Sequence, residues 1–329
     1  MSPALRPWLV PAAAVAFAAV LPVIDRTLPP ALSIAGLLPG LMVVAIVALG
    51  LNLVTGFTGL LHLGVAAFMA LGAYTYSIAT STVYPFQIGP WPGLVVAIAL
   101  TSVAGLALGL PAVRLRGDYL AIVTLGFGEI VQDTLRNLEP ITKGTMGINP
   151  VPPLVAGHGL PTYYLCLTLL VLAVLACRNL RDSRLGRAWA AVREDELAAR
   201  SMGIGTARLK LAAMAAGAGL CGLGGGAWAA LQGSSVEPGS YDFQLSIGIL
   251  CAVIVGGLGS LPGVLVGVLL MFGLNQIVLV KLSNALGITG ANAAVWAQPT
   301  NWKYLVFGLA LVLMMRLRPE GLWPEERAG

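Results

Sequence analysis

The sequence predicts an all-α fold: a polytopic transmembrane helix bundle of about ten spans, some broken or re-entrant, with both termini on the cytoplasmic side. Three observations carry this reading. Of 329 residues, 57% are hydrophobic and only 10% are charged, whereas an average soluble domain carries about 25% charged residues. Apolar runs approaching the ~20 residues that cross ~30 Å of hydrocarbon recur along the whole chain. The bases sit in short blocks between those runs. A mean hydropathy of +0.87 agrees, since a soluble chain of this length needs far more polar surface. The net charge of +5 then marks loops on one side of a membrane and does not point to nucleic acid.

The runs place spans near 8–24, 32–52, 63–81, 93–113, 119–138, 161–178, 208–232, 243–258, 263–281 and 303–317, as one transmembrane domain over 1–329. The first follows a single base, Arg6, with no clear small-residue cleavage site, so it reads as a span and not as a signal peptide. With the N-terminus inside, fourteen of the Lys and Arg residues fall on the inner side, Arg114 and Arg116 among them. Five fall outside: Arg26, Arg136, Lys143, Lys281 and Lys303. This is the positive-inside bias. Parity settles the weakest span. Arg114 and Arg116 end the fourth span inside, and 161–178 must also end inside, so 119–138 must cross outward although it contains Glu129, Asp133 and Arg136.

Glycine clusters inside the apolar stretches. Gly56 and Gly59 are expected to break the second span from the third, and Gly256, Gly257, Gly259 and Gly263, with Pro262, the eighth from the ninth. Small residues serve close helix packing, and they also serve broken helices that line a cavity. Cys166, Cys177, Cys221 and Cys251 form no CxxC pair and read as small buried residues, so neither a disulfide nor a metal site is expected. No GxxxxGK[ST], HExxH or GxSxG occurs. The chain therefore has no phosphate cradle or hydrolytic centre of its own; it is not expected to be an enzyme or to hold a cofactor. The two histidines divide: His158, in a Pro/Gly loop, is expected to be solvated, and His62 is either packed or a pH-sensitive gate.

The longest basic stretch is Ser183–Lys210, SRLGRAWAAVREDELAARSMGIGTARLK, on the inner side. Within it, 186–203 reads as one short amphipathic helix bounded by glycines. Leu185, Trp189, Val192 and Ala199 recur at helical spacing, and Arg193, Glu194, Asp195 and Glu196 take the wet side. Such a helix either lies on lipid headgroups or plugs a groove on a soluble partner. Three adjacent acids argue against an anionic lipid surface.

This stretch resembles the coupling loop of ABC importer permeases, whose broad pattern is Glu-Ala-Ala, three residues, then Gly. Ala198, Ala199 and Gly203 stand in that register; Leu197 takes the Glu position, with the acid one place earlier at Glu196. GRAWAAVREDELAARSMGI, LRGDYLAIVTLGFGEIV (Leu115–Val131), GLLHLGVAAFMALGAY (Gly59–Tyr74) and VIVGGLGSLPG (Val253–Gly263) resemble the LivM-type permease family of branched-chain amino-acid ABC importers. The likeness runs from near residue 40 to the C-terminus. Members often carry Thr-Gly-Gly-Pro-x-Gly after the 126–138 segment; here Thr142 to Gly147 lacks the proline. His62 and Val65 also depart, from Ser and from His or Tyr. These departures bear on cargo more than on fold.

The resemblance implies a non-enzymatic permease subunit of a bacterial inner membrane that forms half of a translocation pathway. It also implies a second related permease, two ATP-binding subunits and a periplasmic substrate-binding protein. Coupling to the ATP-binding subunit would fall to Trp189, Val192, Arg193, Glu194, Asp195, Glu196, Ala198, Ala199 and Gly203, with Trp189 as docking anchor and Gly203 ending the helix at positive φ. The cargo would be a branched-chain or other hydrophobic amino acid; urea and short amides are the alternative, since close relatives carry them. An ion-coupled secondary transporter would explain the spans but not the docking helix, and a membrane-embedded enzyme lacks an acid/base or metal constellation.

The residues themselves nominate a route. A charge at the bilayer centre costs at least ~2.5–3.5 kcal/mol, so it should face a cavity or a partner. Glu129 is the deepest carboxylate, and Asp133 and Arg136 follow at helical spacing. Either Asp133 and Arg136 form a local network at the outer end, or Glu129 lines the pathway. Asn52, Gly56, Gly59, His62, Glu129, Asp133, Gly257 and Gly259 are the candidate pathway or gate residues. An interior otherwise poor in charge suits a neutral or zwitterionic cargo with an apolar side chain.

Overall fold

The computed structural model describes residues 17–22, 25, 36–113, 118–155, 157, 159–235, 237–279, 302–318 and 320–323. Arg114, Arg116, His158, Lys281 and most of the predicted span 8–24 lie outside the described residues. The architecture is all-α. The long helices are α1 (Leu38–Thr58), α2 (Val65–Thr80), α3 (Pro90–Ala112) and α4 (Asp118–Asn137), followed by a short α5 (Glu139–Thr142) and α6 (Leu160–Asp182). After α7 (Arg184–Glu194) and α8 (Glu196–Ser201) in the basic loop come α9 (Thr206–Gln232), α10 (Phe243–Gly256), α11 (Leu261–Gly273) and α12 (Lys303–Leu317). Every predicted span from 32–52 onward contains a helix.

Five helices among the described residues are long and apolar enough to cross a membrane by length and composition: Leu38–Thr58, Pro90–Pro111, Leu160–Asp182, Thr206–Gln232 and Pro238–Gly256. Their burial separates centre from rim. The most apolar 18-residue stretch of α1 is 94% buried, whereas that of α6 is 33% buried. A helix apolar on all sides belongs in the middle of a bundle, and α1 sits there. On α3, Val95, Val103 and Leu110 are exposed, as expected of a face left to lipid.

Helix α9 packs against α1, α2 and α3 together. Its glycines make that possible. A Cβ on Gly217 would lie 2.7 Å from the Gly50 carbonyl of α1, and one on Gly219 would lie 2.5 Å from the Ser102 hydroxyl of α3. The glycines of α9 thus serve close helix packing. At the end remote from the basic loop, the segment after α5 is pinned to the bundle. The Val151 N–H donates to the Gly233 carbonyl (2.8 Å), the Ile148 N–H to the Ser235 hydroxyl (2.7 Å) and the Tyr76 hydroxyl to the Pro152 carbonyl (2.9 Å).

Two expectations need correction. Gly56 does not break a helix: α1 runs through it to Thr58, and only Gly59, at φ 71°, ends the helix, its N–H donating to the Thr55 carbonyl (3.1 Å). The absent Cβ at Gly56 instead lets the Gly259 N–H come within 2.6 Å of where a Cβ would stand. The basic loop is two helices, not one over 186–203. Asp195 leaves helical space at φ −155°, ψ 110°, and its carboxylate accepts from the Leu197 and Ala198 N–H groups, so it starts α8 as an N-cap.

Candidate functional site

The basic loop is built by local rules. Ser183 caps α7 by accepting from the Leu185 and Gly186 N–H groups (3.1 and 3.3 Å). At the far end of α8 the Gly203 N–H reaches the Arg200 carbonyl (3.0 Å) and the Ile204 N–H reaches the Ala199 carbonyl (3.1 Å). That pair of bonds is the Schellman ending, and it requires the left-handed backbone of Gly203, φ 81°. The expected positive φ is therefore present.

What the loop turns inward differs from the sequence expectation. Trp189 is 1% exposed, and its indole N–H donates to the Leu209 carbonyl at the start of α9 (2.8 Å). Val192 and Ala199 are buried with it. Trp189 thus anchors the loop to its own bundle. The amphipathic pattern correctly marked one buried face, but the groove that face fills belongs to this chain. Leu185, expected on the same inward stripe, is 44% exposed.

Glu196 is not on the wet side either. It accepts from Lys210 Nζ (2.8 Å) and Arg200 (2.7 Å), and Arg200 Nε also donates to the Thr206 hydroxyl (2.8 Å). Burial alone would raise the Glu196 carboxyl, but hydrogen bonds and charge from Lys210 and Arg200 hold it below the ordinary carboxylate value. Because Lys210 is itself buried, the triad clamps α8 onto the first turn of α9. Arg193, Glu194, Asp195 and Ala198 are exposed, as are the apolar side chains of Leu197 and Met202. Those two, not among the sequence-based coupling candidates, are the loop's outward apolar tip. Leu197 falls on the face of α8 opposite Ala199, and Met202 follows at the helix end.

Helix α1 joins the remaining candidates. Asn52, fully buried, accepts from the Gly259 N–H (2.9 Å), so Asn52, Gly56, Gly257 and Gly259 come together where α1 crosses the α10–α11 turn. Gly59 faces the loop: a Cβ there would lie 3.3 Å from Arg193 Cγ. His62 is buried with its ring centroid 5.4 Å from that of Phe68.

Glu129 lies elsewhere. It lines a small, shallow groove between α2, α4 and the start of α10, together with Leu63, Ala66, Ala67, Gly128, Asp242 and Phe243. Asp133 is not in that lining. It sits 3.7 Å from Arg136, both largely exposed, which is the local network. The groove offers carboxylates, an apolar surface and no basic side chain. Asp242 was not singled out from sequence because it reads as an N-cap before an apolar run, and it is one, accepting from the Leu245 N–H (2.8 Å).

Known proteins are similar to this chain over most of its length. Residues 33–315 match the family described as branched-chain amino acid transport system / permease component. The chain is 36% identical over 314 residues to the high-affinity branched-chain amino acid transport system permease protein LivM of Escherichia coli (strain K12), covering 87% of this chain and 69% of that protein. It is 26% identical over 318 residues to the probable branched-chain amino acid transport permease protein LivM of Methanocaldococcus jannaschii, covering 85% of this chain and 90% of that one. To the permease LivH of Escherichia coli (strain K12) it is 25% identical over 296 residues, covering 84% and 90%. No solved structure matches the chain. The match over most of the chain, with the all-α bundle of apolar helices, means that this polytopic membrane protein belongs to the permease family of branched-chain amino-acid transport systems.

Proposed function

We propose that the chain is one of the two membrane-spanning halves of an ATP-driven importer for branched-chain or other hydrophobic amino acids, in a bacterial inner membrane with the basic loop inside. A second, related permease would complete the pathway, two ATP-binding subunits would drive it and a periplasmic protein would deliver the cargo. The observation that carries the coupling role is the rigid loop tip. Capped at Ser183, Asp195 and Gly203 and clamped by Glu196, it presents Leu197 and Met202 to the aqueous side, where two exposed apolar side chains held on a fixed frame fit a groove on a soluble subunit. Leu197→Asp is expected to leave the permease in the membrane and to cut co-purification of the ATP-binding subunit by about fivefold or more, since a central interface residue carries more than ~1 kcal/mol. Undiminished co-purification would sink the docking assignment.

The groove at Glu129 suits the cargo class. An ammonium group can sit against its carboxylates while an aliphatic side chain rests on Ala66, Leu63 and Phe243. A carboxylate pair favours a zwitterion over urea or a neutral amide. Glu129 makes no ion pair among the described residues, so Glu129→Gln should assemble in normal amounts and lose about tenfold in uptake, the scale of one charge-assisted contact. Normal uptake at normal abundance would remove Glu129 from the pathway; low abundance would make it structural.

A further inference from the structure

Among the described residues, the buried side-chain polar atoms without a hydrogen-bond partner are Asn52 Nδ2, Thr55 Oγ1, His62 Nδ1 and His62 Nε2. All fall in one stretch, residues 52–62, formed by the last two turns of α1 and the elbow leading to α2. Buried polar groups are nearly always paired, so such a cluster calls for a physical account. Position supplies one. Asn52, Thr55, Gly56 and Gly59 recur at three- and four-residue intervals and share one face of α1. Along that face the chain touches first the α10–α11 turn, through the Asn52 to Gly259 bond, and then the basic loop, where Gly59 meets Arg193.

Beyond Gly59 the elbow reaches α4 by two routes. The Leu63 N–H donates to the Thr124 hydroxyl of α4 (3.0 Å). The His62 ring leads to Phe68, and Phe68 to Phe127 of α4, each step 5.4 Å between ring centroids. Glu129 is two residues past Phe127. A continuous row of contacts therefore runs from α7 through the elbow to the groove, and its middle member carries the unpaired donors and acceptors.

We propose that residues 52–62 are a two-state joint that transmits the position of the basic loop to the Glu129 groove. The arrangement seen here is the state in which Asn52, Thr55 and His62 lack partners, and the other state supplies them. Unpaired buried groups raise the energy of one arrangement and so keep the two close in free energy, as a joint in a transport cycle needs. Contact alone would make only a path; the unsatisfied groups provide the bistable element.

The inference rests on the reading of the basic loop as the ATPase-docking element, and its test is done in the reconstituted transporter with all subunits. His62→Phe preserves the aromatic row and removes both unpaired nitrogens, which favours the present state. The expected result is a complex assembled in normal amounts and no less heat-stable, with uptake per ATP hydrolysed lowered about tenfold, the size of a typical coupling effect. Thr55→Val, which removes the unpaired Oγ1 and breaks no bond, should act in the same direction. Wild-type uptake per ATP in an intact His62→Phe complex would overturn the joint. Should that variant fail to assemble, hydrogen exchange decides on the wild-type complex: the amides of 59–64 should differ in protection between nucleotide-free and ATP-bound forms, and equal protection would overturn the proposal. Absence of any bound ATPase in the wild type would instead overturn the docking assignment, and the joint with it.

Discussion

Trp189→Ala is expected to cost about 3–5 kcal/mol of stability, the usual range for deleting a large buried aromatic side chain. The Trp189 side chain is among the largest fully buried ones in the protein, and it closes the space between α7 and the bundle. Its removal leaves a cavity and forfeits the bond to the Leu209 carbonyl, which keeps its helical N–H partner. The two losses can be separated. Trp189→Phe keeps most of the packing and forfeits only the indole bond, so it should lose about 0.5–1.5 kcal/mol, the net worth of one hydrogen bond whose acceptor keeps a helical partner. Thermal unfolding of the purified permease, measured without any ATP-binding subunit, reads both values. A Trp189→Ala protein as stable as the wild type, but unable to hold the ATPase, would restore Trp189 to the docking surface and reverse the burial argument.

This outcome shows what the sequence could and could not disclose. Period and length located the helices, because hydrocarbon thickness and the 3.6-residue repeat act on each segment separately. The order of bases and the parity argument placed a helix at 119–138, where hydropathy alone would have placed none. The hydrophobic stripe Trp189, Val192 and Ala199 was also legible. Its destination was not: an amphipathic helix states that one face is covered, and leaves open whether its own bundle or another chain covers it. The same limit applied to Gly56. Its spacing from Asn52 was visible, but its purpose is the approach of Gly259, some 200 residues away in sequence, and no local pattern encodes that contact. Asp242 was hidden because one carboxylate can cap a helix and line a groove at once.

Glu196 provides the second large effect, through charge. Glu196→Gln leaves the Lys210 ammonium, 5% exposed, without its anion. Breaking a fully buried pair from one side costs ~3–5 kcal/mol. Glu196 itself is 19% exposed, so a loss of about 2–3 kcal/mol is expected, part of the charge being recoverable by water. The consequence for the loop follows from geometry. Without the clamp, α8 keeps only the Arg200–Thr206 bond to the first turn of α9, and the tip carrying Leu197 and Met202 is held less firmly. The pH dependence has a definite sign. The folded-state carboxyl lies below its ordinary value near 4.5, so the stabilisation is fully present above that value and disappears as pH falls through the lower, folded-state value. Wild type and Glu196→Gln should therefore differ by a constant amount near neutral pH and converge in acid. Replacing both partners, as Glu196→Gln with Lys210→Met, removes the stranded charge and should recover most of the lost stability. A single variant as stable as the wild type at neutral pH, or a double variant no better than the single one, would show that the triad is a solvated surface cluster. In that case the rigidity of the loop must come from the caps at Ser183, Asp195 and Gly203 and from Trp189 alone.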